Sequence, residues 1–220
     1  MDNKELVKYI DHTILSPDSK IEDIKNVCNE AIEHGFKGVC INPFYVEETA
    51  KQLENTSVKT ISVIGFPLGS SKTKIKLEET RQALEDGAHE IDVVANIGQI
   101  KDHKWDKIKH EIEEIYNTVS SHNGLLKVII ETGYLTDEEK EKTAESCLKA
   151  GADYIKTCTG FGPGQATVDD ISLLHRIGGN KMKVKASGKI RTYEQALELI
   201  KAGASRIGAS KSVEIIKNRH

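Results

Sequence analysis

The chain of 220 residues carries 38% hydrophobic and 30% charged side chains, enough for one substantial domain that buries roughly 70% of its extended-chain surface. Its 31 basic residues nearly balance 34 acidic ones, for a net charge of −3 without a dense basic stripe, which argues against nucleic acid as a partner. Apolar stretches such as residues 58–66 and 125–130 are far shorter than the roughly 20 residues of a membrane span, and the opening Met1-Asp2-Asn3-Lys4-Glu5 lacks the apolar core of a secretory signal. A cytoplasmic protein with no membrane partner is expected.

Taken in chain order, a short N-terminal helix leads into a first strand at residues 9–14. Ser19 followed by Glu22 fits a capping box at the next helix start, and that helix closes at Glu33-His34-Gly35-Phe36. The closing phrase recurs as Glu85-Asp86-Gly87-Ala88, Lys149-Ala150-Gly151-Ala152 and Lys201-Ala202-Gly203-Ala204. A glycine just past the last helical turn takes the left-handed conformation that ends a helix, because it has no Cβ to clash. Each phrase precedes a short run rich in β-branched residues, at Gly38–Ile41, Glu90–Val94, 154–157 and 206–209. The glycines stand about two strand-plus-helix units apart, at ~30 residues per unit, so each gap holds one more strand. Residues 58–64, 125–130 and 183–186 supply them. Thr136 with Glu139 and Thr192 with Gln195 mark two further helix starts. Eight strands alternating with helices, with no linker across 1–220, predict a single α/β domain, a (β/α)8 TIM barrel.

The cysteines Cys28, Cys40, Cys147 and Cys158 form no C-x-x-C pair, and the scattered histidines form no H-E-x-x-H. Neither a structural disulfide nor a protein-built metal site is expected. Gly160-Phe161-Gly162-Pro163-Gly164 lacks the dinucleotide-binding spacing.

Barrel strands are covered on both faces and normally read as Val, Ile and Leu, yet Asp92, Lys127, Lys156 and Lys185 interrupt four of them. An unpaired buried charge is costly, so these residues either form a structural salt-bridge cluster or serve chemistry. Lys156 and Lys185 fall on successive strands, ~4.8 Å apart. Two inward ammonium groups at about 6 Å repel by roughly 3 kcal/mol at an effective dielectric of ~20. Such repulsion favours one neutral amine, the form that attacks a carbonyl to make a Schiff base, with Asp92 countering the other ammonium or shuttling protons. Hydroxyls and glycines follow the last three strands, in Thr157-Cys158-Thr159-Gly160, Ala186-Ser187-Gly188 and Gly208-Ala209-Ser210. Amides after the late strands of a barrel bind phosphate readily; ordinary strand-to-helix turns are the plainer alternative.

These motifs join Ile10-Asp11-His12-Thr13, Gly38-Val39-Cys40-Ile41-Asn42-Pro43, Val63-Ile64-Gly65-Phe66-Pro67-Leu68-Gly69, Lys127-Val128-Ile129-Ile130-Glu131-Thr132, Ile155-Lys156-Thr157-Cys158-Thr159-Gly160 and Val184-Lys185-Ala186-Ser187-Gly188. With them the sequence resembles the deoxyribose-phosphate aldolases, class I aldolases of the (β/α)8 type, over almost its whole length. The resemblance implies that Lys156 forms the Schiff base, that Lys185 is the second lysine that activates it, and that Asp92 assists proton transfer through water. It implies reversible cleavage of 2-deoxy-D-ribose 5-phosphate to D-glyceraldehyde 3-phosphate and acetaldehyde, without a metal or organic cofactor, by a homodimer.

By the same resemblance Asp11, Thr13 and Cys40 belong at the substrate pocket, although packing is the other reading for Cys40. Thr159, Gly160, Gly188 and Ser210 match hydroxyl and phosphate contacts. Lys189 stands where the family places a second glycine; at positive φ a lysine costs roughly 1 kcal/mol or more, while its ammonium would reach the phosphate. Lys211 is either another phosphate-side charge or a solvated loop residue. Some family members end in a tyrosine that reaches the site, whereas this chain reads Lys217-Asn218-Arg219-His220. Two other readings stay open: a related Schiff-base aldolase acting on another short aldehyde or sugar phosphate, and a non-catalytic barrel that binds a sugar phosphate.

Overall fold

The β-branched runs pair side by side into a closed parallel barrel in strict chain order. The computed structural model describes residues 1–217. Its strands are β1 (Ile10–Thr13), β2 (Gly38–Ile41), β3 (Lys59–Ile64), β4 (Glu90–Val94), β5 (Leu125–Ile129), β6 (Tyr154–Lys156), β7 (Lys183–Ser187) and β8 (Ala204–Ala209). The α-helices are α1 (Asn3–Leu6), α2 (Ile21–His34), α3 (Val46–Gln52), α4 (Thr73–Glu85), α5 (Ile97–Lys101), α6 (Trp105–Ser121), α7 (Asp137–Lys149), α8 (Val168–Gly178), α9 (Tyr193–Lys201) and α10 (Ser212–Lys217). All eight expected strands are present, with ends displaced by at most two residues: β1, β3, β5 and β6 are shorter than the expected runs, and β7 and β8 are longer.

Helix ends explain most of the chain reversals. Gly35 closes α2 in the left-handed conformation, and Gly87, Gly151 and Gly203 likewise have positive φ. Thr136 and Thr192 cap α7 and α9, their hydroxyls accepting from the Glu139 and Gln195 amides at 3.2 Å each. The start of α2 corrects one expectation. Lys20 occupies the N-cap position and its amide donates to Asp23 Oδ2 at 2.8 Å, while the Ser19 hydroxyl donates to the Ser16 carbonyl at 2.8 Å. A serine readily bonds to nearby backbone in a turn, and that local bond moves the cap one residue on.

The main apolar core lies between sheet and helices, with Ile24, Ile91, Ile112, Ile155, Leu174 and Ile207 all fully buried. Inside the barrel the packing differs. Leu15, Cys40, Ile61 and Val63, with Phe66 against them, form a small apolar cluster on the β1–β3 side, and charged groups fill the rest. Among the described residues no helix is long and apolar enough to cross a membrane.

Candidate active site

Successive side chains of a strand point to opposite faces, so Glu90 and Asp92 of β4 enter the barrel together. The register sets Asp92 beside Lys127, Lys156 beside Lys185, and Lys185 beside Arg206. Asp92 is the hub. Its Oδ1 accepts from Lys127 Nζ at 2.9 Å, and its Oδ2 accepts from Lys156 Nζ at 2.7 Å and Lys185 Nζ at 2.8 Å. Sharing one oxygen holds these last two nitrogens inside the ~6 Å expected from strand spacing. Lys185 also pairs with Asp11 Oδ2 at 2.5 Å, and Lys127 with Glu90 Oε2 at 2.5 Å. Arg206 closes the ring, reaching Asp11 at 2.6 Å and Glu90 at 3.2 Å. Gly208 leaves room for this, since a Cβ there would sit 3.1 Å from Lys185 Cε.

Burial by itself disfavours each charge, and the partners decide the balance. Against burial, Lys127, Lys156 and Lys185 hold the Asp92 carboxyl well below the usual carboxylate range. Asp11 and Glu90 are lowered in the same way, Asp11 by Lys185 and Arg206, Glu90 chiefly by Lys127. Burial pushes Lys185 down, but Asp11 and Asp92 outweigh it and keep the ammonium above the ordinary lysine range. Lys127 is raised likewise by Asp92 and Glu90.

A cavity of about 490 Å³ opens above this cluster at the C-terminal ends of β6, β7, β8 and β1. Of the cluster's four cations only Lys156 lines it. Thr13, Thr159, Gly160, Gly188, Lys189 and Ser210 share the lining. Asp11, Asp92, Lys185 and Cys40 lie beneath, each with no exposed surface. Cys40 Sγ is 4.0 Å from Asp92 Oδ2, and burial pushes its thiol up. Lys189 has φ +59° and is exposed, as is Arg191 at the same cavity. Neither side chain has a carboxylate partner among the described residues. Lys211 is exposed and paired with Glu214 at 3.0 Å. The terminal residues 218–220, where a tyrosine would have to stand, lie outside the described residues.

Residues 5–213 match the model of the DeoC/LacD family aldolases. The chain belongs to that family. It is 50% identical over 219 residues to the deoxyribose-phosphate aldolase of Thermococcus kodakarensis, covering 99% of this chain and 98% of that one. To the deoxyribose-phosphate aldolase of Clostridium tetani it is 48% identical, covering 97% and 98%. Among solved structures, the deoxyribose phosphate aldolase of Aeropyrum pernix superposes with a TM-score of 0.92 at 33% identity, covering 98% of this chain and 91% of that one.

Several residues of this aldolase's site escaped sequence reasoning. Lys127 stood out as a strand charge but received no role. Glu90 and Arg206 fall within the expected strand runs but received no role, although Glu90 two positions before Asp92 signals a shared inward face. Glu131 follows β5 with φ +53°. Its Oε2 accepts from the Thr159 amide at 3.0 Å and from the Thr159 hydroxyl. Gly162 lies over the carboxylate so closely that a Cβ would approach Glu131 Cδ to 2.7 Å. The loop after the Lys156 strand is thereby clamped to the loop after β5. Among the described residues no cluster of His, Cys, Asp and Glu is arranged to hold a metal ion.

Proposed function

We propose that this aldolase reversibly cleaves 2-deoxy-D-ribose 5-phosphate to D-glyceraldehyde 3-phosphate and acetaldehyde through a Schiff base on Lys156. The observation that carries the reading is that Lys156 alone among the four cations of the barrel cluster reaches the cavity, while its Nζ rests on the Asp92 carboxylate. Four cations face three carboxylates in the cluster. The positive charge in excess vanishes when Lys156 becomes a free amine, and it returns at the same place in the protonated imine.

In the cleavage direction the Lys156 amine adds to the C1 aldehyde of the open-chain sugar, and loss of water leaves the protonated imine. A base takes the proton of the C3 hydroxyl as the C2–C3 bond breaks. Its electron pair enters the imine to form a two-carbon enamine, and D-glyceraldehyde 3-phosphate departs. Protonation at C2 and hydrolysis then release acetaldehyde. The imine is the electron sink, so the scheme calls on no metal or organic cofactor. Asp92, held well below the usual carboxylate range, is a weak base; it stays anionic beside the imine and relays protons by way of water. Lys185, tied to Asp11 and Asp92, stays cationic and keeps Asp92 in place.

The phosphate is read by the turns at Thr159-Gly160, Gly188 and Ser210, with the uncompensated cations Lys189 and Arg191 beside them. Glycine lets the backbone approach, and unpaired ammonium and guanidinium groups supply charge. Asp11 and Cys40 shape the floor from below, and Thr13 contributes to the wall. The Aeropyrum pernix relative is described as tetrameric; we read this chain as a homo-oligomer of at least two copies, acting in the cytoplasm, with 1–220 as one catalytic domain.

Incubation with acetaldehyde and borohydride, followed by peptide mapping, tests the mechanism: one ethyl group on Lys156 is expected, and random labelling of exposed lysines would overturn it. Comparing phosphorylated with unphosphorylated deoxyribose tests the substrate. Equal rates would favour a related aldolase that ignores phosphate.

A further inference from the structure

The mouth of the barrel holds a second cavity, of about 560 Å³, that this reaction does not use. It lies over the β3–β6 side. Pro67 and Leu68 follow β3, Ile97 follows β4, Tyr134 follows β5, and Phe161 follows β6. Leu68, Tyr134 and Phe161 are 71%, 53% and 55% exposed, an accumulation of large apolar side chains that marks a binding surface. At its rim Lys101 Nζ bonds Glu139 at 2.8 Å and the Tyr134 carbonyl at 3.2 Å, and the Glu131 carboxylate lies under Gly162 with Oε2 held by Thr159 and Oε1 unbonded. The first cavity presents Lys189 and Arg191 without carboxylate partners among the described residues, whereas the cation lining the second, Lys101, is paired with Glu139.

Thr159 and Phe161 line both cavities. The Phe66 ring, from the end of β3, lines neither cavity but meets the Phe161 ring edge to face, with centroids 5.3 Å apart and planes at 89°. The pair joins loops from strands three places apart in the barrel. We propose that Phe161, braced by Phe66, is the specificity-determining partition of the mouth, and that the cavity behind it is a subsite for the apolar chain of an acceptor aldehyde, kept out by the Phe161 ring. The inference rests on the aldolase reading. In the synthetic direction the Lys156 enamine of acetaldehyde attacks the acceptor carbonyl carbon, a carbon–carbon bond forms, the new alkoxide takes a proton, and hydrolysis frees the 3-hydroxyaldehyde. An acceptor carrying phosphate is drawn to the charged cavity. One carrying an alkyl chain needs the other.

The test compares hexanal with D-glyceraldehyde 3-phosphate as acceptor, with acetaldehyde as donor. In Phe161→Ala the ratio of kcat/KM for hexanal to that for the phosphorylated acceptor should rise by roughly tenfold or more, the scale on which apolar pockets discriminate chain length. Phe66→Ala should move it the same way, and Phe161→Val provides a milder opening should the alanine variant fold poorly. Adding Leu68→Trp to Phe161→Ala refills the cavity and should return the ratio toward its starting value. An unchanged ratio, or a gain that survives Leu68→Trp, overturns the proposal. Reductive trapping of acetaldehyde on Lys156 separates the two levels: if it fails, the aldolase reading falls; if it succeeds while the ratio stays fixed, only the partition falls.

Discussion

Two clusters of buried charge stand on opposite sides of the β-sheet, and they behave differently. In the outer layer Lys76 of α4 pairs with Glu111 of α6 at 2.7 Å and donates to the Val94 carbonyl at 2.8 Å. Burial wins there, and Lys76 is lowered even though Glu111 opposes the shift. Inside the barrel Lys127 and Lys185 each hold two carboxylates, burial loses, and both are raised. The outer pair is balanced and opens to no cavity described above; the inner cluster carries a cation in excess and exposes Lys156 to a cavity. Burial of charge alone therefore does not tell the two clusters apart. Surplus charge together with access does.

The sharpest way to break this contrast is Lys156→Ala, which should lower retro-aldol turnover by at least ~10⁴-fold while circular dichroism and the thermal melt stay near wild type. Retained turnover would make the inner cluster as structural as the outer one. Lys185→Met comes next. It strands Asp11 and Asp92 without their shared ammonium and should cost roughly 3–5 kcal/mol of stability as well as ~10²-fold or more in kcat, read by urea melts and steady-state kinetics. Lys76→Met should cost a similar roughly 3–5 kcal/mol by leaving Glu111 buried and unpaired, yet kcat per folded molecule should remain within about threefold. A large loss of kcat in folded Lys76→Met would join the two clusters functionally and dissolve the contrast.

The smallest effect concerns a carboxylate whose cation partner is half exposed. Lys101 and the Thr136 amide hold the Glu139 carboxyl down from 4.5 to about 2. A lowered carboxylate stabilises the fold above its unfolded value, and that stabilisation is lost as pH falls through the folded one. The stability gap between wild type and Glu139→Gln should thus be full above pH 4.5 and shrink toward pH 2, as measured by urea melts across that window. A gap that does not vary with pH would show that Glu139 acts through packing rather than charge.

Legibility in the sequence followed contrast with the local background. Lys156 and Lys185 stood out because they break apolar strands, and Gly35, Gly87, Gly151 and Gly203 because they punctuate the chain at regular intervals. Lys76 and Glu111 did not. They lie on helices where lysine and glutamate recur every few residues, and only helix packing shows which of these charges faces inward. Glu131 was equally silent, since its clamp on Thr159 joins two loops whose approach depends on neighbouring strands. Ser19 misled because serine satisfies a turn as readily as it caps a helix.

The sequence by itself determined the barrel, through the alternation of β-branched runs with glycine-ended helices, and placed the inward lysines, because side-chain period along a strand is a local property. The tertiary structure alone decided that three lysines share Asp92, that Arg206 closes the ring onto Asp11 across 195 residues of chain, and that Phe66 meets Phe161 across the mouth. Those contacts exist only once β8 pairs with β1 and the sheet closes, since strand register and barrel curvature set which side chains come within hydrogen-bonding distance.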